Sequence, residues 1–176
     1  MLENWNVFVV AERDGEDELL EELIEDGEFE RSGVNDILIG NVDEIVEFLD
    51  DAEDKKYSHL NHVVPIDDAF SAPPDNLTDV LKSRIARYID EFDPTDTFGF
   101  LVERRGQKEN VSSSREVENE VGGYFYGLLE KIHGKKPKEN RKNPDKLIAI
   151  EIVGNRCGLG FITREMREKY SVIRVK

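Results

Sequence analysis

Basic side chains that could bind phosphate groups are concentrated in the second half of the sequence. An arginine can hold a phosphate with two parallel hydrogen bonds from its planar guanidinium, whereas a lysine acts as a compact point charge. Two adjacent arginines precede Gly106, and a run of basic residues over positions 135–142 leads into an Asn-Pro-Asp turn. The candidate phosphate-binding residues are Arg104, Arg105, Lys108, Lys135, Lys136, Lys138, Arg141, Lys142, Asn143 and Arg156.

Plainer interpretations of the basic residues stay open at the level of sequence. The arginine pair is compatible with a solvated strand end, and residues 135–142 are compatible with a flexible surface loop. Arg156 is equally well explained as a phosphate contact and as an ordinary surface charge. Arg164, Arg167 and Lys169 are interpreted as ordinary charges on a helix surface.

The distribution of charge favours a binding surface in the second half. The whole chain has a net charge of −15, which by itself argues against a nucleic-acid partner. Residues 1–96 carry 28 acidic and 7 basic side chains, a net charge of −21, whereas residues 97–176 carry 11 and 17, a net charge of +6. Because a polyanion responds to the local field, we expect the acidic half to repel it and confine it to the basic half.

Other kinds of site have weaker support. His59 and His62 have no cysteine or acidic cluster nearby that would complete a metal site. Cys157 is the single cysteine and has no partner histidine, so we expect it to pack in the core. The pair Asp67-Asp68 is one of many carboxylate pairs that solvation explains. No cofactor or metal is predicted, and the absence of a signal-like or membrane-spanning run leads us to expect a cytoplasmic protein.

Hydrophobic spacing predicts a mixed α/β (α+β) fold in two units, a ferredoxin-like domain over residues 1–70 and a second domain over residues 71–176. In the first unit, Ile24 and Val46 are among the helical residues predicted to face inward. The prolines at 73 and 74 mark the boundary, because they cannot continue a helix or a central strand. The predicted order β-α-β-α-β rests on strands at 5–10, 35–39 and 60–66 with helices at 17–25 and from 43.

The second unit contains a long helix and an apolar strand that are well specified by sequence. Ser113 and Glu116 form a capping-box pattern that opens the helix. The strand at 147–153 is apolar on both faces except at Glu151, which predicts a central position in its sheet. The remaining predictions are a helix at 76–92, strands at 98–103 and 157–162, a short helix from Thr163 and a last strand at 171–175.

Several motifs of this unit occur together in a known family. The strand at 98–103 ends in Arg104-Arg105-Gly106, a serine-capped helix follows, and the turn Asn143-Pro144-Asp145 leads to the strand Ile148-Ala149-Ile150-Glu151-Ile152. In this combination residues 71–176 resemble the THUMP domain, a module of enzymes and accessory proteins that modify tRNA. The preceding unit resembles the ferredoxin-like domain that usually accompanies it.

The end of the chain resembles a narrower group within that family. The segments Cys157-Gly158-Leu159-Gly160-Phe161-Ile162 and Lys169-Tyr170-Ser171-Val172 are similar to the end of the stand-alone THUMP proteins that assist tRNA cytidine acetylation. The resemblance implies a tRNA-binding adaptor that recognises the acceptor end and assists a separate cytidine acetyltransferase. The motifs of the catalytic domains that accompany THUMP elsewhere are missing, so we expect no enzymatic activity. The alternatives are the RNA-recognition subunit of a tRNA methyltransferase or thiouridine synthase, and a protein-interaction scaffold.

Overall fold

Two β-sheets, one formed by each half of the chain, organise the fold. The computed structural model describes residues 2–71, 73–106 and 113–174. The first half contains β1 (Val7–Ala11), α1 (Glu16–Leu23), β2 (Glu28–Arg31), β3 (Ile37–Asn41), α2 (Ile45–Glu53) and β4 (Leu60–Pro65). Neighbouring strands of this sheet are antiparallel in the order β2-β3-β1-β4. This βαββαβ arrangement is that of a ferredoxin-like unit.

The first unit has one strand more than the sequence predicts. Strand β2 has the sequence Glu-Phe-Glu-Arg, with Phe29 as its single apolar residue, so it lacks the alternation that identifies a half-buried strand. It lies at the edge of the sheet, where charged side chains are common. The two predicted helices are present, but Ile24 and Val46 do not face inward, since each is 55% exposed.

The second half forms a five-stranded mixed sheet with the order β5-β9-β8-β6-β7. Strand β6 is parallel to both β8 and β7, and the other pairs are antiparallel. The central position predicted for the apolar strand β8 is confirmed. The elements are β5 (Asp68–Ser71), α3 (Leu77–Ile85) with 3-10 turns before and after it (Pro74–Asn76 and Ala86–Glu91), β6 (Thr97–Arg105), α4 (Ser114–His133), β7 (Lys138–Glu139), β8 (Lys146–Val153), β9 (Arg156–Thr163) and α5 (Arg164–Lys169).

Strand β5 crosses the position where the sequence places the domain boundary. Its residues Asp68–Ser71 pair with β9 and so belong to the second sheet. The division into residues 1–70 and 71–176 itself stays a prediction.

The long helix α4 begins where the capping-box pattern predicts. The Ser113 hydroxyl oxygen accepts a hydrogen bond from the Glu116 N–H at 3.1 Å, which satisfies a free amide of the first turn. Gly134 ends the helix in the left-handed conformation, with φ of 71°, which glycine adopts without steric cost. Among the helices of the described ranges, none combines the length with the apolar character that a bilayer crossing demands.

The segment after α5 packs against the first unit. The Tyr170 hydroxyl donates to Asp50 at 2.8 Å, and the Ser171 hydroxyl donates to Glu53 at 2.8 Å. The strand predicted at 171–175 is wrong for residues 171–174, which form a turn and a single parallel bridge between Ile173 and Val63. Val175 lies outside the described residues.

A glycine in β9 allows the two units to approach closely. A Cβ atom at Gly160 would fall well inside the van der Waals radius of the Pro65 carbonyl oxygen in β4. Any side chain at this position therefore pushes backbone against backbone, and backbone cannot yield as the end of a flexible side chain can.

We expect Gly160→Ala to destabilise the fold by about 1–3 kcal/mol because it overpacks this contact. Gly123→Ala is the matched control, because a Cβ at that position in α4 meets no atom within 4 Å. The control is expected to stabilise the protein by about 1 kcal/mol through helix propensity. Urea unfolding of both variants measures the difference, and equal midpoints would contradict the close-approach argument.

Candidate nucleic-acid interface

The Asn143-Pro144-Asp145 turn is anchored to the start of β6. The Asp145 carboxylate accepts hydrogen bonds from the Thr97 N–H at 2.8 Å and from the Thr97 hydroxyl at 3.0 Å. The same hydroxyl accepts from the Asp145 N–H at 2.8 Å. These bonds from Thr97 hold the pKa of the Asp145 carboxyl below its ordinary value. The turn is therefore fixed relative to the sheet.

Two arginines of α5 hold the same turn from the other side. Arg164 forms an ion pair with Asp145 at 2.6 Å and donates to the Asn143 carbonyl oxygen. Arg167 donates to the Pro144 carbonyl oxygen and, at 3.0 Å, to the Ile162 carbonyl oxygen. The sequence interpretation of both as ordinary surface charges missed this role. Their i, i+3 spacing, which puts two residues on one helix face, is the one signal that could have suggested it.

The residues between α4 and this turn form an exposed cationic loop, which we call the basic segment (residues 135–142). Its backbone is held by β7, where Lys138 pairs with Thr97 in the parallel register. The Asn140 N–H donates to the Phe98 carbonyl oxygen at 3.1 Å, and the Asn140 side-chain oxygen accepts from the Asn143 N–H at 3.0 Å. The backbone is thus tied to the sheet, while the lysine and arginine side chains are exposed.

The cations of the basic segment have no acidic partners within the part of the chain that the structure describes. Each is exposed, and no ion pair joins any of them to a described carboxylate. Asn143, directly after the segment, is exposed as well. The side chains brought together here are Lys135, Lys136, Lys138, Arg141 and Lys142.

The structure separates the two adjacent arginines of the sequence motif. Successive residues of a strand point to opposite faces of its sheet. The backbone N–H of Arg104 donates to the Ser114 hydroxyl oxygen at the start of α4. The Arg105 side chain lies on the opposite face, where it forms an ion pair with Glu151 and stacks over the Phe8 ring with 5.1 Å to the centroid. Arg104 and Arg105 therefore do not form one continuous patch.

Arg105 and Glu151 line a cleft of about 780 Å³ between the two units. The side chain of Glu151 is only 3% exposed, whereas that of Arg105 is 25% exposed. Burial raises the pKa of Glu151 to about 7, although the Arg105 guanidinium acts in the opposite direction.

Arg156 joins the two units. It forms an ion pair with Glu30 of β2 at 3.3 Å and donates to the Ser32 carbonyl oxygen, and its side chain is 13% exposed. Its candidate role in phosphate binding stays a prediction, as does that of every other residue in the set. Lys108 lies outside the described residues.

Together these features define a two-unit α/β protein with a cationic surface suited to a polyanion. The family model of the THUMP domain matches residues 78–161. The chain therefore carries a THUMP domain, and the resemblance inferred from the sequence is confirmed at this level. No curated protein sequence matches the chain.

Solved structures share the fold in longer proteins. TrmN from Thermus thermophilus is 20% identical with a TM-score of 0.61, and the match covers 90% of this chain and 45% of that one. PH1313 from Pyrococcus horikoshii Ot3 is 16% identical with a TM-score of 0.59, covering 90% and 54%. A 4-thiouridine synthetase in complex with RNA and bound ATP is 15% identical with a TM-score of 0.56, covering 90% and 41%. The chain thus spans about half the length of these proteins, and identities this low establish the fold alone.

The raised pKa of Glu151 predicts a pH-dependent contribution to stability. At pH values between 4.5, the ordinary pKa of a glutamate, and about 7, the folded state keeps a proton on Glu151 that the unfolded state has released. Stability from this group is therefore fully present below about pH 4.5 and is lost as pH rises to about 7, by at most about 3 kcal/mol. We expect Glu151→Gln to remove this loss in urea unfolding at acidic and neutral pH. An identical pH dependence in both proteins would contradict the prediction.

Proposed function

We propose that this protein is a tRNA-binding adaptor that uses its THUMP domain to present tRNA to a separate modifying enzyme. The observation that carries the proposal is the basic segment, whose five exposed cations have no acidic partner among the described residues. Free lysine and arginine side chains bind nucleic acid by neutralising phosphates and releasing their counterions. Cations already paired with an ionised carboxylate contribute far less.

The anchoring of the basic segment supports a positioning role. Its backbone is tied to β6 through Thr97 and Phe98, and the turn that follows is held by Arg164 and Arg167. Contacts to phosphate fix the orientation of a bound nucleic acid without reading its sequence. A segment anchored in this way can hold tRNA in a defined orientation, while the acidic first unit keeps it off the other half.

The acceptor end is the part of tRNA that we propose the protein recognises, as the family resemblance implies. Proteins recognise RNA mainly by its shape and by unpaired nucleotides, and the acceptor end offers both a stem and an unpaired terminus. The 4-thiouridine synthetase whose fold resembles this chain was solved with RNA bound, which supports RNA as the ligand class.

The partner that we propose is a cytidine acetyltransferase, with this chain contributing recognition and no catalysis. This step rests on the resemblance of residues 157–162 and 169–172 to the stand-alone THUMP proteins. The second candidate is an RNA-recognition subunit of a tRNA methyltransferase or thiouridine synthase, which the fold shared with a 4-thiouridine synthetase favours. Co-purification from the native host distinguishes the two by the activity of the enzyme recovered.

We expect the double variant Lys135→Gln/Lys136→Gln to bind tRNA more weakly and with a shallower dependence on salt. Each phosphate contact that is lost reduces the slope of log affinity against log salt concentration by roughly one unit. Fluorescence anisotropy with labelled tRNA over a salt series measures both quantities.

The matched control is Arg13→Gln/Lys55→Gln, which removes the same charge from exposed positions in the first unit. We expect its salt slope to equal that of the unmodified protein. Equal slopes for the basic-segment variant and the unmodified protein would rule out this segment as a phosphate-binding surface.

Removal of the unpaired 3′ nucleotides of tRNA is expected to weaken binding to this protein. A general basic surface contacts only the phosphates that remain, so it would bind trimmed and intact tRNA almost equally. The experiment compares the two RNAs at one salt concentration in direct titrations. Equal affinities would contradict recognition of the acceptor end but leave tRNA binding itself intact.

A further inference from the structure

The cleft between the two units contains a buried carboxylate that the basic segment does not use. Glu151 of β8 is 2% exposed and accepts a hydrogen bond from one nitrogen of the Arg105 guanidinium. A guanidinium has five N–H donors, so Arg105 keeps others that can reach a second acceptor. Its side chain is 25% exposed and lines the cleft.

The other charged groups facing this pair come from every element around the cleft. Glu103 lies on β6, Arg167 on α5, Arg174 in the segment after α5, and His62 on β4. Strand β1 contributes the apolar Val10. With Arg105, three arginines face two carboxylates, so the cleft has an excess of positive charge with His62 counted as neutral. Its volume of about 780 Å³ is in the range of pockets that hold a small ligand.

We propose that this cleft is a second phosphate-binding subsite for RNA, in which Arg105 holds a phosphate and Glu151 takes up a proton from solvent. The inference rests on the proposed function, because it takes tRNA as the ligand. Its failure can be distinguished from failure of the proposed function, because it depends on Arg105 and Glu151 and is measured by the pH dependence of binding.

The proton uptake follows from the electrostatics of a buried acid. Burial raises the pKa of Glu151 to about 7, so near neutral pH the carboxyl group holds a proton for part of the time. A phosphate on Arg105 adds a second negative charge nearby, and a like charge disfavours the ionised carboxylate. Phosphate binding therefore favours the protonated form, and by linkage the protonated form binds phosphate more tightly.

The geometry allows one RNA molecule to occupy both subsites. Thr97, where the basic segment joins the sheet, and Arg105 are the first and last residues of β6. Eight residue steps along the strand, each about 3.3 Å, separate them by about 26 Å. A stem of a few base pairs together with an unpaired end is long enough to span that distance.

The test measures the affinity for an unmodified tRNA transcript at about pH 6 and about pH 8, on either side of the Glu151 transition. We expect the unmodified protein to bind more tightly at the lower pH, by at most about tenfold for each unit by which phosphate shifts the pKa of Glu151. Glu151→Gln mimics the protonated acid, so this variant should bind tightly at both pH values. A Glu151→Gln variant with the pH dependence of the unmodified protein would overturn the proposal.

Two control variants separate this effect from its alternatives. Histidine is the side chain whose charge ordinarily changes in this pH range, and His62 lines the same cleft. The variant His62→Gln should therefore keep the pH dependence if Glu151 is its source. Lys135→Gln/Lys136→Gln should lose affinity at both pH values and keep their ratio. Loss of affinity in that variant without any pH effect in the unmodified protein would overturn the cleft subsite and leave the proposed function standing.

Calorimetry of the unmodified protein gives an independent measurement if Glu151→Gln does not fold. Titration of tRNA in two buffers of different ionisation enthalpy reports the number of protons taken up on binding. We expect net uptake near pH 7 that is retained by His62→Gln. No net uptake in the unmodified protein would refute the coupling.

Discussion

Strand β8 is buried on both faces, and this burial links the two units of the protein. Its residues alternate between two hydrophobic clusters, with Ile148, Ile150 and Ile152 on the side of α3 and α4. Leu147, Ala149 and Val153 join the cluster formed by the first unit. A strand with two apolar faces must be covered on both, so the ferredoxin-like unit supplies one of the layers that complete the second sheet. The two halves therefore share a core.

This shared core also decides where the charged groups of β8 and its neighbours lie. Glu151 is the one charged residue on the faces of β8 that the core encloses, and it is buried beside Arg105 at the edge of the contact between units. The start of the same strand follows the Asn-Pro-Asp turn, which Thr97 and Arg164 hold in place. Cleft and basic segment thus lie near opposite ends of one pair of parallel strands, β6 and β8.

Not every basic residue of the second half contributes to an external positive surface. Arg156, Arg164 and Arg167 are engaged with carboxylates or backbone carbonyl oxygens, and Arg105 is engaged with Glu151. The net charge of +6 for residues 97–176 counts all of them equally. On the external surface, a polyanion meets the cations whose charge is not neutralised nearby, and within the described residues the basic segment belongs to that subset, whereas Arg105 and Arg167 line the cleft.

The α/β class, the long helix, the central strand and the THUMP resemblance could be predicted from the sequence, because they rest on local properties. These properties are the amphipathic spacing, the capping-box pattern at Ser113, the strand that is apolar on both faces and the separation of charge between the halves. Strands β2, β5 and β7 escaped prediction because they are edge strands of two to four residues, too short to show a pattern of alternating apolar residues. Which cations lack an acidic partner depends on contacts between residues that are far apart in the chain. Arg156 and its partner Glu30 are 126 residues apart in the chain. The side chains of Arg104 and Arg105 lie on opposite faces of β6, and the face that carries Arg105 packs against the first unit. A side chain's charge is a property of its residue type, but its neutralisation depends on contacts that form when the two sheets come together.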